Sequence, residues 1–496
     1  MLFRNFVKEF FMKRVISVLL LAALTVTAAS CVNSGTPDDT KSQDVTTVPN
    51  DTTTAAETEE KPDIPESGDY SGYEFRVLYD HTGWGTYTNE YIDFEAQNGD
   101  VYSDAAYNRN RLCEEKFGFK LVPVEKKWGE VTGALNSSIM AGDDDYDLAI
   151  VTYGWAHGKD LLIDFNTVPH IDTSKPWWNT NAANQMEVNG ALTNALSDFI
   201  ITHRDGTVAT FFNKKLADDY KLGNLYDLVR EGKWTLDKFA ECAKGVSSDL
   251  DGDNEYTDKD MFGYSALDSN SYTYMYFGAG MRLVDTDKDG KPTVAIGSEQ
   301  SINVLQKISA LLNSDNIQYC PKYNKNSGGD GDQSIFRVFQ EGRALFLSHG
   351  IGSANRFRNM EVDFGVLPAP KYDEEQESYW NVIDAGKYMV IPKTATDLDR
   401  TGTILESLSY EGYKSVIGAY YDTMLKNKLM RDDDSIEMLD KYIFPNSAVK
   451  SFFYASVQET LQNVVKAPDS MSSTIASSLS SMQENINKVY ETFIDE

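Results

Sequence analysis

Five acidic side chains in one short stretch can chelate a hard cation: Asp249, Asp251, Asp253, Glu255 and Asp260. Carboxylates at positions 1, 3, 5 and 12 of a calcium-binding loop converge on a single ion. Position 6 holds Asn254 rather than glycine, and asparagine tolerates the left-handed backbone of a sharp turn. Position 12 holds Asp260, shorter than the glutamate that usually closes such a loop. The spacing predicts a structural calcium ion, with no catalytic role. A second acidic run, Asp285 to Gly290, has Ile296 where the closing acid should stand and reads as a hairpin turn.

Cys31 offers a different chemistry, acylation of its thiol. Met12-Lys13-Arg14 precedes an apolar run from Val15 to Leu24, and the small residues Ala28-Ala29-Ser30 lead into the cysteine. Basic start, short apolar stretch, small residues and cysteine form a bacterial lipoprotein signal over residues 1–30, with Met12 the better start. Ala28 departs from the leucine usual at that position. The apolar run is too short for a lasting transmembrane helix. Residues 31–69 are rich in Thr, Ser, Asp, Glu and Pro and read as a lipidated, disordered stalk, since they cannot bury enough apolar surface to offset ordering. The chain is then expected outside the cell, anchored to the outer face of the membrane.

Other chemistries find little support. Cys113, Cys242 and Cys320 form no zinc spacing and read as buried thiols, although one disulfide among them stays open. The five histidines are scattered, with no metal-ligand pattern, and there is no Gly-x-Ser-x-Gly or phosphate loop. A net charge of −30 argues against nucleic acid and anionic lipid as partners; the stalk's ten acids and two lysines supply only −8 of it.

The elements that must position any site are legible from periodicity. Tyr73–Tyr79 alternates as a strand, Ser103–Phe117 has helical spacing with Ser103 and Asp104 as capping residues, and Phe119–Val124 is a second strand. A helix over 129–141 and a strand over Asp147–Val151 complete a parallel, helix-wound sheet. A second unit starts at Thr207–Asn213, continues through a helix capped by Thr235, a turn at Gly290-Lys291-Pro292 and a helix over Ser301–Leu312, and includes strands at Ala344–Leu347 and Phe364–Pro368. A strand at Tyr388–Pro392 precedes helices that run to the C-terminus. Ligands of such sheets bind beyond the carboxyl ends of strands. Asp80, His81, Trp84 and Tyr87 follow the first strand, and Tyr153 and Trp155 the third.

Several segments resemble the family 1 extracellular solute-binding proteins of bacterial ABC transporters, the group that includes maltose-binding protein. They are Asp145–Ile150 with Trp155; Phe211–Leu216 followed by Gly232–Asp237; Phe339–Phe346 followed by Asp363–Pro370; and Leu405–Tyr410. In order, they span most of residues 71–465. The resemblance implies an α/β fold of two periplasmic-binding-protein-like lobes, discontinuous in sequence and joined by a hinge. Lobe one would take 71–196 and 378–425, lobe two 197–377 and 426–496.

It also implies a ligand buried between the lobes, a carbohydrate and most naturally an oligosaccharide, delivered by a monomer to an ABC permease. Aromatic faces would pack on sugar rings, and carboxylates or amides would bind hydroxyls. To the residues at the first-lobe strand ends it adds Tyr274, Tyr276 and Phe277 beside Gly278 and Gly280, His349 after a second-lobe strand, and Trp380, Asn381 and Asp384 where the chain returns to lobe one. Trp177-Trp178 reads as a structural wedge. The competing readings are a tethered glycan-degrading enzyme, which would need two carboxylates flanking a cleft, and a sensing lipoprotein of the same fold.

Overall fold

The structure, a computed structural model, describes residues 60–81, 91–313, 317–320, 331–384, 386–421, 432–450, 452–466 and 468–494. Cys31, Trp84 and Tyr87 lie outside these residues. Residues 60–69 correct the predicted extent of the stalk. Gly68 N–H donates to Lys116 O at 3.1 Å, and Ile64 packs against the apolar core. His170 Nδ1 lies 2.7 Å from Asp63 O. One isoleucine and a run of backbone partners therefore hold a polar segment against the body.

The chain runs through β1 (Tyr73–Asp80), α1 (Val101–Phe117), β2 (Phe119–Lys126), α2 (Val131–Ala141), β3 (Leu148–Thr152) and α3 (Thr180–Met186). It continues with β4 (Val208–Asn213), α4 (Leu236–Lys244), β5 (Phe262–Ser265) and α5 (Asp268–Gly278). The hairpin β6 (Val284–Thr286) and β7 (Pro292–Val294) leads to α6 (Glu299–Leu312), β8 (Gln318–Tyr319), β9 (Ala344–Gly350) and β10 (Phe364–Leu367). Then follow β11 (Asn381–Ile383), β12 (Lys387–Val390), α7 (Leu398–Glu411), β13 (Ser447–Val449), α8 (Tyr454–Lys466) and α9 (Met471–Glu491).

Two sheets divide these strands. The first has order β12-β3-β1-β2, parallel except for β12. The second has order β10-β4-β9-β5-β8, with β4 antiparallel to both neighbours. Each sheet has its own apolar core: Phe75, Val77, Leu148, Ile150 and Val390 in one, Phe211, Trp234, Phe239, Tyr264 and Phe346 in the other. These are two lobes. Between them β11 pairs in parallel with β13, and Thr207 bridges Ile383, so three crossing segments form the hinge.

Local chemistry sets several boundaries. Asp100, not Ser103 or Asp104, caps α1, its side chain accepting from Ser103 N–H at 3.0 Å; Asp104 instead turns back to Asn98 N–H at 2.8 Å. Gly118 ends that helix at φ 64, a left-handed value that favours glycine. Thr235 caps α4. Trp177 and Trp178 are wedged in the first core and donate their indole N–H groups to Glu406 at 2.7 and 2.8 Å.

The lobe boundaries read from sequence are crossed at several places, most extensively in the C-terminal part of the chain. Val416, Ile417 and Tyr420 pack into the second core, not the first. Val449, Phe452, Phe453, Ile486 and Phe493 pack into the first core, not the second. Apolar side chains follow the nearest core, and the C-terminal helices run past both.

Candidate functional site

The hinge gathers the polar groups. Asp384 follows β11, and Lys450 follows β13. The Lys450 ammonium donates to one carboxylate oxygen of Asp384, and the Tyr274 hydroxyl of α5 donates to the other. Lys450 Nζ also lies 4.9 Å from the ring centre of Tyr454, 5.8 Å from Tyr274 and 6.0 Å from Tyr153. Burial works to raise the Asp384 carboxyl, but the Lys450 charge and the hydrogen bonds from Lys450 and Tyr274 hold it below its ordinary range. First lobe, hinge and second lobe thus each contribute to one cluster.

Tyr153 reaches the cluster because β3 ends there in a left-handed turn, with φ 65 at Tyr153 and 79 at Gly154. The residue is 36% exposed, so it is accessible to a ligand. The next residues are pinned reciprocally: Trp155 N–H donates to Asn194 Oδ1 at 2.7 Å, and Asn194 Nδ2 donates to Trp155 O at 3.1 Å. The Trp155 ring meets His157 edge-on at 4.6 Å. At the end of β1, Asp80 is buried and paired with Lys387 at 2.9 Å. His81 stacks on the exposed Tyr91 at 4.5 Å.

In the second lobe, His349 Nδ1 lies 2.7 Å from Ser353 Oγ, and its ring packs edge-on against Phe336 at 5.0 Å. Burial pushes its pKa down to about 4, against the pull of Asp384, so the imidazole is neutral at neutral pH. Ser353 is fully buried and is not presented as a nucleophile.

Of the residues expected at a site, the structure brings Tyr153, Tyr274, His349 and Asp384 into one neighbourhood. Others are placed differently. Tyr276 is fully buried, its hydroxyl 2.7 Å from Ser301 Oγ and donating to Arg282 O at 3.0 Å. Asn381 is also fully buried: its Oδ1 accepts from Ala369 N–H at 2.9 Å and its Nδ2 donates to Tyr442 O at 3.0 Å. Both are structural, because their polar atoms are already satisfied. Trp380 carries the Arg282 guanidinium over its ring at 4.3 Å. Phe277 is 1% exposed but lines a cavity of about 230 Å³ between the lobes, along with Asn184, Glu187, Arg282, Asp285 and Lys450. Lys387, Lys450 and Tyr454 were not singled out from sequence. They flank very short strands whose pairing partners lie far off in the chain.

At the acidic loop, Asp249, Asp251 and Asp253 bring carboxylate oxygens within 4.8 Å of one another. Asp249 orders the turn by accepting from Gly252 N–H at 2.7 Å and Asn254 N–H at 2.8 Å, with Asn254 at φ 63. Asp260 does not join them. It is fully buried and accepts from Leu250 N–H at 2.9 Å and Thr257 N–H at 2.7 Å, so the closing ligand expected there is a loop staple. Glu255 is likewise outside the converging group. Three carboxylates suit a hard cation, but the expected ligand set of five is not assembled. The three cysteines are buried free thiols. Among the described residues, no helix is long and apolar enough to cross a membrane.

A model of the family described as "Bacterial extracellular solute-binding protein" matches residues 111–409. No curated protein matches the sequence. Among solved structures, an ABC substrate-binding protein of Listeria monocytogenes in complex with cycloalternan is similar at 14% identity and a TM-score of 0.52, covering 85% of this chain and 99% of its own. The maltose/maltodextrin-binding domain of Bdellovibrio bacteriovorus bound to maltotriose shows 13% identity and a TM-score of 0.53, covering 84% and 100%. A cyclo/maltodextrin-binding protein complexed with maltotetraose shows 15% and 0.54, covering 84% and 99%. At these identities the likeness is one of fold, the two-lobed α/β architecture described above.

Proposed function

Because the chain belongs to the bacterial extracellular solute-binding proteins, we propose that it is a receptor that captures a carbohydrate, an oligosaccharide, between its lobes and delivers it to an ABC importer. The observation that carries this reading is the hinge cluster. Asp384 and Lys450 directly follow the crossing strands, with Tyr153 of one lobe and Tyr274 of the other against them. A ligand there touches both lobes at once, which is what shifts an open–closed equilibrium. The exposed Tyr153 suits the apolar side of a sugar ring, and a carboxylate–ammonium pair suits its hydroxyls. The similar proteins bound to maltotriose, maltotetraose and cycloalternan support the same ligand class. The protein acts without catalysis, as a monomer, tethered by lipid on Cys31, with calcium at the Asp249 loop as a structural ion.

The test is a thermal-shift screen against mono- and oligosaccharides, with product analysis. A ligand that binds only the folded state raises the melting temperature, by several degrees at saturating concentration. A shift with one glycan class and no product is the expected result. No shift with any glycan overturns the carbohydrate reading, and turnover overturns the receptor reading.

A further inference from the structure

The cavity beside Lys450 contains a cation with no bonded counter-ion. Arg282 follows α5, carries its guanidinium over Trp380 and lines the cavity. One of its N–H groups donates to Met281 O at 3.0 Å. Among the described residues no carboxylate lies within ion-pair distance of it, and its remaining donors have no protein acceptor. Lys450, on the same cavity, is ion-paired with Asp384, whereas Arg282 makes no direct ion pair. Burial lowers the Arg282 pKa, opposed by the charge of Asp285, so the guanidinium is partly desolvated with through-space attraction but no bonded carboxylate to offset it. The cavity lining also includes two carboxylates, Glu187 and Asp285, both on exposed residues. Water and salt screen such groups far more than they screen a half-buried guanidinium.

We propose that Arg282 anchors a carboxylate of the ligand, so that this cavity takes a uronic acid residue and the receptor's ligand is an acidic oligosaccharide. The inference rests on the glycan reading above and sharpens it. A planar guanidinium held by stacking on Trp380 can present two parallel N–H groups, the fork that matches a carboxylate. The hydroxyls of the same sugar then face Lys450 and Asn184, and Phe277 offers an apolar wall.

The experiment is calorimetric titration of the full chain with di- to tetrasaccharides cut from polygalacturonate, alginate and glucuronoxylan. Each is paired with its carboxyl-reduced form, so that a pair differs only in the acid. At least one acidic fragment should bind about tenfold or more tightly than its reduced partner. Arg282→Gln should erase that difference while leaving binding of the reduced partner in place, and Arg282→Lys should restore only part of it. The Tyr276 hydroxyl bonds to the Arg282 backbone, so these substitutions leave that contact intact. Equal affinity for acidic and reduced partners overturns the proposal, as does an equal loss for both in Arg282→Gln. If none of these fragments binds and a neutral glycan does, the acidic assignment falls and the glycan receptor stands. If only a non-sugar solute binds, both fall.

Discussion

Glu406 shows how much one residue can set. It is fully buried between Trp177 and Trp178, which donate to both its oxygens. Burial, opposed by the two indole bonds, pushes its pKa up to about 7. An acid whose folded value is raised keeps its proton in the folded state after the unfolded chain has lost its own. Its stabilising contribution is therefore complete below the ordinary glutamate range and is lost as pH climbs through about 7. The loss is of order 3 kcal/mol. The difference in unfolding free energy between pH 5 and pH 8, measured by denaturant titration, should shrink clearly in Glu406→Gln; an unchanged difference would show that Glu406 does not titrate there. Tyr153 makes a second case. Its partly exposed ring lies against Lys450 without closing a core. Tyr153→Ala should weaken ligand binding by about tenfold while barely moving the melting temperature. A fall in melting temperature without loss of affinity would make Tyr153 a packing residue.

Among the elements, α9 has the least expected placement, since it lies beyond the family match and beyond the segments that resemble it. Met471, Ile475 and Met482 pack in the second core, and Ile486 packs in the first, followed by Phe493 just past the helix end. Gln483 Nε2 donates to Pro292 O at 3.1 Å, and Thr492 Oγ1 accepts from Gly158 N–H at 2.9 Å. The helix is thus fastened to both lobes on one side of the hinge. Gly158 is the close approach: a Cβ there would meet the Thr492 carbonyl oxygen at 2.5 Å. Gly158→Ala should release the far end of the helix, seen as faster amide exchange over 486–494 with 471–482 unchanged. Uniform protection would show that the contact bears no load. The acidic loop is also decided at this scale. If three carboxylates hold calcium, adding the ion should raise the melting temperature, and Asp251→Asn should abolish the rise. No rise in the native protein would leave the loop as a hydrogen-bonded turn.

At the scale of the whole molecule, the strands, the hairpin at Gly290 and the Thr235 cap were legible from the sequence, because period-two alternation and capping residues are local signals. So was the order of motifs that marks the family. The site was legible only in part. Tyr153 and His349 stand at strand ends, where a pattern points to them. Lys450 meets Asp384 across 66 residues, and Lys387 meets Asp80 across 307. Nothing in the local pattern of either lysine announces its partner. The same holds for Trp177 and Glu406, 229 residues apart. Asp260 misled for a related reason: its spacing fits a calcium loop, but two backbone N–H groups reach its carboxylate first. The sequence by itself determined which segments become strands and helices, since those depend on neighbours within a few residues. The tertiary structure alone decided which charges are balanced, which aromatic faces stay open and which core claims the C-terminal helix, because each depends on groups that meet only when the lobes and hinge are assembled.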